Sequence, residues 1–279
     1  MLLLMLLLMF ILINDVEALS LSGTQSSHAR FPPWAGCMNA SFSFEFRTSQ
    51  PVPERGVLLW YADDGGRTDF FVVTLTARRQ GVAVRLVLRL ADDVDGNVDI
   101  SLGGGVNDDR WHRVEVRRKR AETSLLVDGA EDSGVVFGHS FHFGRGNNSH
   151  VFVGGMPTEF EHRLSALAMP SAVFAEHLSG SVRNVVYGNC SCERQRVSPV
   201  GGVGVRAADD DACQLHNPCR DGCLCISTDV DTTCDCSDLV ACVTGQSPFV
   251  RPWLQLRFDF DSTAVRRAFV ARLTVHQRS

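Results

Sequence analysis

The cysteines of this chain are unevenly distributed, and their distribution constrains the fold more than any other feature of the sequence. Seven of the ten lie between Cys213 and Cys242, whereas the long segment from Met38 to Asn189 contains none. A segment without cysteines must fold by burying a hydrophobic core, while a short cysteine-dense segment can fold on disulfide bonds. The sequence therefore predicts two domains that are stabilised in different ways.

Length and composition set the sizes of these domains. The chain has 279 residues, of which 44% are hydrophobic, so it can form one domain of about 150–200 residues and a smaller one. The formal net charge of −5 argues against a general nucleic-acid partner, because phosphate backbones bind basic surfaces.

The N-terminus predicts export from the cell. The run Met1–Ile13 consists almost entirely of Leu, Met, Ile and Phe and is too short to span a bilayer. Val16 and Ala18 are small residues that suit a signal peptidase, so we predict a signal peptide at residues 1–18 with cleavage near Ala18. The run lacks a basic start, and a buried N-terminal strand is the alternative interpretation.

Export predicts a place in the secretory pathway, outside the cell or at its surface, where disulfides persist. No later segment of the sequence is apolar enough to span a membrane, so membrane attachment would need a span absent from this chain.

The cysteine-free segment has the patterning of antiparallel β-structure. Phe42, Phe44 and Phe46 alternate with polar residues, which places the three rings on one face of a strand. Gly56–Tyr61 is a continuous apolar run typical of a buried strand. Further strands are predicted at Asp69–Thr76, Val82–Leu90, His112–Arg118, Ser124–Val127, Val151–Val153 and Ser181–Tyr187. Many short strands with Gly and Asp turns predict an all-β fold of two packed antiparallel sheets, with no helix before residue 190 except a short turn at Leu164–Ala168.

An ordered set of short motifs identifies the kind of sandwich. The motifs are Gly56–Gly66, Thr68–Phe71, Asn107–Val114, Ser124–Gly129, Val151–Pro157 and Leu178–Val185. In this order and spacing they resemble a laminin G-like domain, a jelly-roll type β-sandwich. The opening Ser26–Trp34 is similar to the start of the first such domain of invertebrate neurexins, and the resemblance covers roughly residues 22–239.

The resemblance implies a domain plan. It places a laminin G-like domain at residues 24–192, a Gly-rich linker at 193–208 and an atypical EGF-like module at 209–242. Residues 243–279 are Arg-rich, lack cysteine and remain unassigned. The alternative for this tail and the shortened module is a truncated or altered product.

Resemblance to EGF-like modules also implies disulfide pairings. The implied bridges are Cys213–Cys225, Cys219–Cys234 and Cys236–Cys242. Two departures weaken the last: Cys223 is an additional cysteine, and the spacing from Cys236 to Cys242 is shorter than usual. The pairing of Cys37, Cys190, Cys192 and Cys223 stays open at this point, and we favour a bridge from Cys37 to Cys190 or Cys192.

One residue is a candidate metal ligand. In laminin G-like domains an Asp at the position of Asp69 often binds Ca²⁺ at the sandwich rim, together with backbone carbonyls and a second side chain. The resemblance therefore implies Ca²⁺ as a cofactor, but no second side-chain ligand matches a family motif. The alternative is that Asp69 caps the turn at Gly65 and Gly66.

Other candidate sites follow from local sequence. Arg117, Arg118, Lys119 and Arg120 form a basic run that could bind heparan sulfate or an acidic partner, with a solvated strand end as the alternative. Sequons predict glycosylation of Asn39, Asn147 and Asn189. The resemblance implies that Trp111 packs in the core and that His112 is its structural neighbour.

The expected function is binding. The neurexin resemblance implies a cell-adhesion or receptor ectodomain that binds protein partners, postsynaptic adhesion ligands among them, through rim loops. The alternative is a secreted matrix protein that binds glycans through the basic run. We predict no catalytic activity, because Glu45 and Glu115 stand alone and glycoside hydrolysis needs paired carboxylates. The sequence also lacks the Gly-x-Ser-x-Gly nucleophile motif.

Overall fold

The computed structural model of the protein describes residues 18–34, 39–65, 69–90, 97–135, 150–188, 193–207, 213, 217–220, 223–228 and 232–236. The strands in these ranges are β1 Ala18–Ser22, β2 His28–Phe31, β3 Asn39–Arg47, β4 Val57–Asp63, β5 Phe70–Arg78, β6 Gly81–Arg89, β7 Asn97–Leu102, β8 His112–Lys119, β9 Glu122–Val127, β10 Ala130–Val135, β11 Val151–Val153, β12 Glu176–His177, β13 Ser179–Gly188, β14 Arg194–Arg196, β15 Gly201–Val203, β16 Val205–Ala207, β17 Leu224–Ser227 and β18 Thr232–Asp235. Short 3₁₀ helices span Thr158–His162, Leu164–Ala166 and Pro170–Phe174.

The strands form two packed sheets and one separate hairpin. Sheet A has the order β10-β9-β8-β3-β13-β1-β16, with β14 also paired to β13. Sheet B has the order β15-β2-β11-β4-β5-β6-β7, with β12 paired to β4. Neighbouring strands in the sheets are antiparallel except for the parallel pair β12 and β4. The predicted all-β sandwich is confirmed, and the eight predicted strands correspond to β3, β4, β5, β6, β8, β9, β11 and β13.

Aromatic rings from both sheets form the centre of the core. The rings of Phe42 on β3 and Trp60 on β4 stack with centroids 4.2 Å apart and an interplanar angle of 2°. Phe44 stacks on the same indole at 5.6 Å. Phe71 on β5 meets Phe42 edge-on at 6.3 Å, and all four side chains are fully buried. Because bulky interdigitated rings tolerate little sliding, this cluster aligns the two sheets.

A second apolar cluster covers the outer face of sheet B. The 3₁₀ segment brings Phe160 and Leu167 against Tyr61 and its neighbours. Asp63 anchors the segment, since its Oδ2 accepts hydrogen bonds from the Tyr61 hydroxyl at 2.7 Å and the Ala168 N–H at 3.0 Å. Burial raises the pKa of Asp63, and its hydrogen bonds act in the opposite direction. The described part of the chain contains no helix with the length and apolar character of a membrane span.

In the segment predicted as a linker, residues 193–208, the described residues 193–207 contribute strands instead. β14 pairs with β13, β15 with β2, and β16 with β1, so this segment extends both sheets. The linker interpretation is corrected: these strands are three residues long and largely exposed, so they carry no hydrophobic period that a sequence could reveal. The predicted cleavage point near Ala18 falls at the first residue of β1, and residues 1–17 lie outside the described ranges.

The small module contains two of the implied bridges and one different bridge. Cys213–Cys225 and Cys219–Cys234 are present. Cys236 is bonded to Cys223, so the predicted Cys236–Cys242 pairing is wrong. The register of the β17–β18 hairpin explains this result, because it places Leu224 opposite Asp235 and Cys225 opposite Cys234. Continuing that register brings the additional Cys223 beside Cys236. Cys37, Cys190, Cys192 and Cys242 lie outside the described residues.

Hydrogen bonds join the module to sheet A. The Asn184 side chain donates from Nδ2 to the Ser227 carbonyl at 3.0 Å and accepts the Ser227 N–H through Oδ1 at 3.2 Å. Asn184 sits at the bulge of β13 with φ of 55°, a left-handed conformation that Asn tolerates. Arg194 and Asp235 add an ion pair at 2.6 Å. The module is therefore fixed against β13 and β14.

We predict that peptide mapping of the full chain without reduction recovers the Cys223–Cys236 linkage, because the hairpin register brings these two residues together. Tandem mass spectrometry of the chain and of Cys242→Ser checks this. The variant is expected to keep the same three module bridges. A dominant linkage between Cys236 and Cys242 in the parent chain would contradict the structure.

Candidate functional site

The rim of the sandwich that carries Asp69 is built from strand ends of both sheets. In sheet B, Asp63 at the end of β4 lies opposite Phe70, which begins β5, and Phe70 lies opposite Arg89 at the end of β6. In sheet A, Asn39 at the start of β3 lies opposite Lys119 at the end of β8. We call this end of the molecule the Asp69 rim.

Arg118 faces Asp69 from the opposite sheet. Along β8 the buried side chains are Val114, Val116 and Arg118, so the arginine points inward. Val116 lies opposite Phe42 and Arg118 opposite Ala40. Since Phe42 contacts Phe71 and Asp69 precedes Phe71 by two residues, Asp69 and Arg118 occupy the layer next to this aromatic contact, at the same rim.

Both side chains are withdrawn from water. Asp69 is 1% exposed and Arg118 is 3% exposed. Burial lowers the pKa of Arg118 to about 10, and the negative charge of Asp69 acts in the opposite direction. A pKa of about 10 keeps the guanidinium charged near neutral pH. The rim thus contains a buried cation in the field of the Asp69 carboxylate.

This arrangement does not fit a calcium site. Calcium requires an oxygen-rich shell of carboxylates and carbonyls, but Asp69 shares its buried position with a guanidinium that repels cations. Within the described ranges, no three His, Cys, Asp or Glu side chains are grouped as metal ligands. As for the alternative of a turn cap, the Asp69 carbonyl accepts the Asp64 N–H at 3.1 Å, while the side chain that caps Gly65 is that of Asp63.

The predicted basic run is divided by strand geometry. Arg117 points outward and forms two hydrogen bonds to Glu115, at 2.6 and 3.0 Å. Arg118 is buried, while Lys119 and Arg120 are exposed where β8 ends. Because neighbouring strand residues point to opposite faces, the four residues do not form one basic patch.

Trp111 lies outside the core, contrary to the expectation from the resemblance. Two guanidinium groups lie over its ring: the Arg183 Cζ is 4.1 Å and the Arg47 Cζ 4.9 Å from the ring centroid. The Arg183 Nε also bonds to Glu45 at 2.8 Å. Alternation explains the position, because Trp111 immediately precedes β8 and continues the outward face that carries Arg113, whereas Val114 points inward.

The outer face of sheet A surrounds this indole with charge. Arg113 and Arg117 continue the row along β8, with side chains 39% and 31% exposed. Glu45 and Glu115 are the acidic members of the row, and basic residues outnumber them although the chain carries a net charge of −5. We define Trp111, Arg47, Arg113, Arg117 and Arg183 as the Trp111 face. Sequence reasoning missed this face, although the alternation of β8 predicts that Trp111 and Arg117 point the same way.

His112 links two carboxylates at the opposite rim from Asp69. Its Nδ1 lies 2.7 Å from Asp128 Oδ2, and its Nε2 lies 2.9 Å from Asp108 Oδ1. Burial lowers the pKa of His112, but the hydrogen bonds to Asp128 and Asp108 outweigh burial, so the pKa is raised above 6.5. The protonated ring therefore ties the loop before β8 to the turn after β9.

Of the predicted glycosylation sites, only Asn39 lies among the described residues. It is exposed at the start of β3, on the Asp69 rim. Asn147 and Asn189 lie outside the described ranges. Glycosylation stays a prediction at all three positions.

Comparison with known proteins identifies the class to which this sandwich belongs. A laminin G domain family model matches residues 46–189, and the chain belongs to that family. The solved structure of the mouse laminin alpha1 chain, domains LG4-5, shares the fold, with a TM-score of 0.51 and 16% identity over 68% of this chain and 46% of that one.

Within this class the chain is neurexin-like. It is 35% identical to Neurexin 1 of Drosophila melanogaster over 245 residues, which cover 78% of this chain and 13% of the relative. It is 31% identical to Neurexin-2 of Rattus norvegicus over 255 residues, which cover 88% of this chain and 14% of the relative. The chain thus spans about an eighth of the length of these relatives.

The His112 bridge predicts a pH dependence of stability. The pKa of His112 in the folded protein is raised above the ordinary value of 6.5. The stabilisation that the protonated ring provides is therefore complete below pH 6.5 and is lost as the pH rises through the pKa of the folded state. The parent chain is therefore expected to lose more stability than His112→Gln between about pH 6 and about pH 8. Urea unfolding at both pH values measures the difference.

His162 is an exposed histidine on the 3₁₀ helix Thr158–His162. Its replacement by glutamine is therefore a matched control for this comparison. His162→Gln is expected to follow the parent chain at both pH values. If the free energy of unfolding changes equally with pH in His112→Gln and in the parent chain, the bridge makes no contribution to stability that depends on protonation.

Proposed function

We propose that the chain acts as an extracellular cell-adhesion or receptor ectodomain of the neurexin type, which binds protein partners and is not an enzyme. Membership of the laminin G domain family and similarity to neurexins support this class of function. The proposed location, outside the cell or at its surface, is supported by a small module with three disulfide bonds. Postsynaptic adhesion ligands are the proposed partners, by similarity alone.

The Trp111 face is the observation that carries the proposed binding role. Tryptophan and arginine are enriched among the residues that dominate the energy of protein interfaces. Here a half-buried indole is contacted by the guanidinium groups of Arg47 and Arg183. Such an indole loses little side-chain entropy on binding because it is already held in place.

The charge of the Trp111 face suggests the chemistry of the partner. Arg113 and Arg117 remain partly exposed beside the indole, and Glu45 and Glu115 are engaged with arginines of the same face. A partner with an acidic surface around an apolar contact would complement this arrangement. We therefore place the proposed interface on the outer face of sheet A and not on the rim loops.

Geometry also supports the proposal that the chain has no catalytic role. Each of the two glutamates on this face is bonded to an arginine, Glu45 to Arg183 and Glu115 to Arg117. These hydrogen bonds occupy both carboxylates within the face, whereas glycoside hydrolysis needs two carboxylates that flank the scissile bond of the substrate.

The second candidate function is binding of heparan sulfate as a matrix protein. Its support is the row of four basic residues on the Trp111 face, in which Arg47, Arg113 and the largely buried Arg183 join Arg117. Sulfated glycans bind such rows mainly by electrostatics, and added salt weakens that binding.

A cell-surface binding assay tests the proposed function. The full chain fused to an Fc fragment is applied to cultured neurons, and Trp111→Ala is expected to weaken binding by about 30-fold, as loss of an interface hot spot does. Phe174→Ala is the matched control, because Phe174 is an aromatic residue that is 53% exposed and lies on the other side of the sandwich.

Enzyme treatment of the cells separates the two candidates. Binding that survives heparinase and is lost after protease treatment supports a protein partner, whereas binding lost after heparinase supports the glycan. Equal binding by Trp111→Ala and Phe174→Ala, or no binding by the parent chain, would contradict the proposed interface.

A further inference from the structure

Asp69 is a buried carboxylate that needs a positive charge nearby. It is 1% exposed, and an isolated carboxylate in such a place would be strongly destabilising. Two kinds of cation can meet the need at a sandwich rim: a metal ion taken from solution, or a side chain of the protein itself. The identity of that cation decides whether the rim responds to calcium.

The side chain is already in place. Arg118 projects inward from β8, one layer beyond Val116 on the same strand face, and is 3% exposed. The Arg118 Nη1 lies 3.4 Å from the Thr123 hydroxyl on β9, the neighbouring strand, which holds the guanidinium inside the sandwich. Its electrostatic interaction with Asp69 crosses from sheet A to sheet B.

A calcium ion and this guanidinium exclude each other. At an effective dielectric constant of about 20, repulsion between a divalent ion and a guanidinium about 5 Å apart weakens binding by roughly five orders of magnitude. Rim sites of extracellular modules bind calcium at about 10⁻⁴–10⁻³ M, so a loss of this size abolishes binding under physiological conditions.

We infer that Arg118 replaces calcium at the Asp69 rim, so that the sandwich carries its own counter-charge and the rim binds no metal. The positive charge is permanent, because the guanidinium is covalently part of β8 and remains protonated at neutral pH. The rim therefore keeps the same charge and shape at low and at high calcium. Recognition of a partner by this domain is then independent of calcium, whichever surface the partner contacts.

Calorimetry compares the metal binding of two forms of the full chain. Calcium chloride is titrated into the parent chain and into Asp69→Asn at low temperature, with the fold of each checked by circular dichroism. We expect superimposable titrations up to about 1 mM calcium, which is the weakest dissociation constant typical of extracellular calcium modules. Calcium binding that is present in the parent chain and lost in Asp69→Asn overturns the inference.

Thermal unfolding tests the pairing itself. Arg118→Met leaves the Asp69 carboxylate buried beside an apolar side chain, and we expect the melting temperature to fall by about 10 °C. Arg117→Met is the matched control, because Arg117 is the neighbouring arginine on the exposed face of β8, and its melting temperature should change by no more than about 2 °C.

The double variant Asp69→Asn/Arg118→Met completes the cycle. It removes both charges together, so it should recover at least half of the loss in melting temperature seen in Arg118→Met. A double variant that loses the sum of the two single losses would show that the two charges do not interact, and the inference would fail whatever the fate of the proposed partner binding.

Discussion

The stack of Phe42 on Trp60 is the contact on which the rest of the structure depends. With centroids 4.2 Å apart and nearly parallel planes, it joins β3 of one sheet to β4 of the other, and Phe71 packs against it from β5. A shift between the sheets would separate these rings, and both the apolar burial and the ring geometry would be lost. The same alignment decides which side chains meet at the rims, because each strand face repeats every two residues.

One strand, β8, carries both features that matter for function. Its inward residues continue from the valines of the core to Arg118, which brings a permanent positive charge to Asp69. Its outward residues Arg113 and Arg117, together with Trp111 immediately before the strand, form a basic face with a fixed indole. The charge of Asp69 inside the rim is thus neutralised by a side chain of the protein. The outer face of the same sheet presents charge to solvent. This division favours recognition through the sheet face and gives the rim a role in stability.

Much of the fold could be predicted because its signals are local. The alternation of phenylalanines in β3 and the apolar run of β4 identified the central strands, and ordered motifs identified the sandwich. The edge strands β14, β15 and β16 could not be found, since three exposed residues have no period. The Cys223–Cys236 bridge needed the register of a hairpin, which cysteine spacing alone does not supply. The orientations of Arg118 and Trp111 were available from alternation, but a run of like charges and an implied core role concealed them.

The calcium independence of the rim depends on the identity of the cation beside Asp69, and a crystal structure grown in calcium chloride tests that identity directly. Crystals of the full chain at about 10 mM calcium, well above the affinity range of extracellular calcium modules, should show the Arg118 guanidinium in contact with the Asp69 carboxylate. No anomalous scatterer should lie between the sheets. A calcium ion bound to Asp69, with Arg118 displaced towards solvent, would contradict the account.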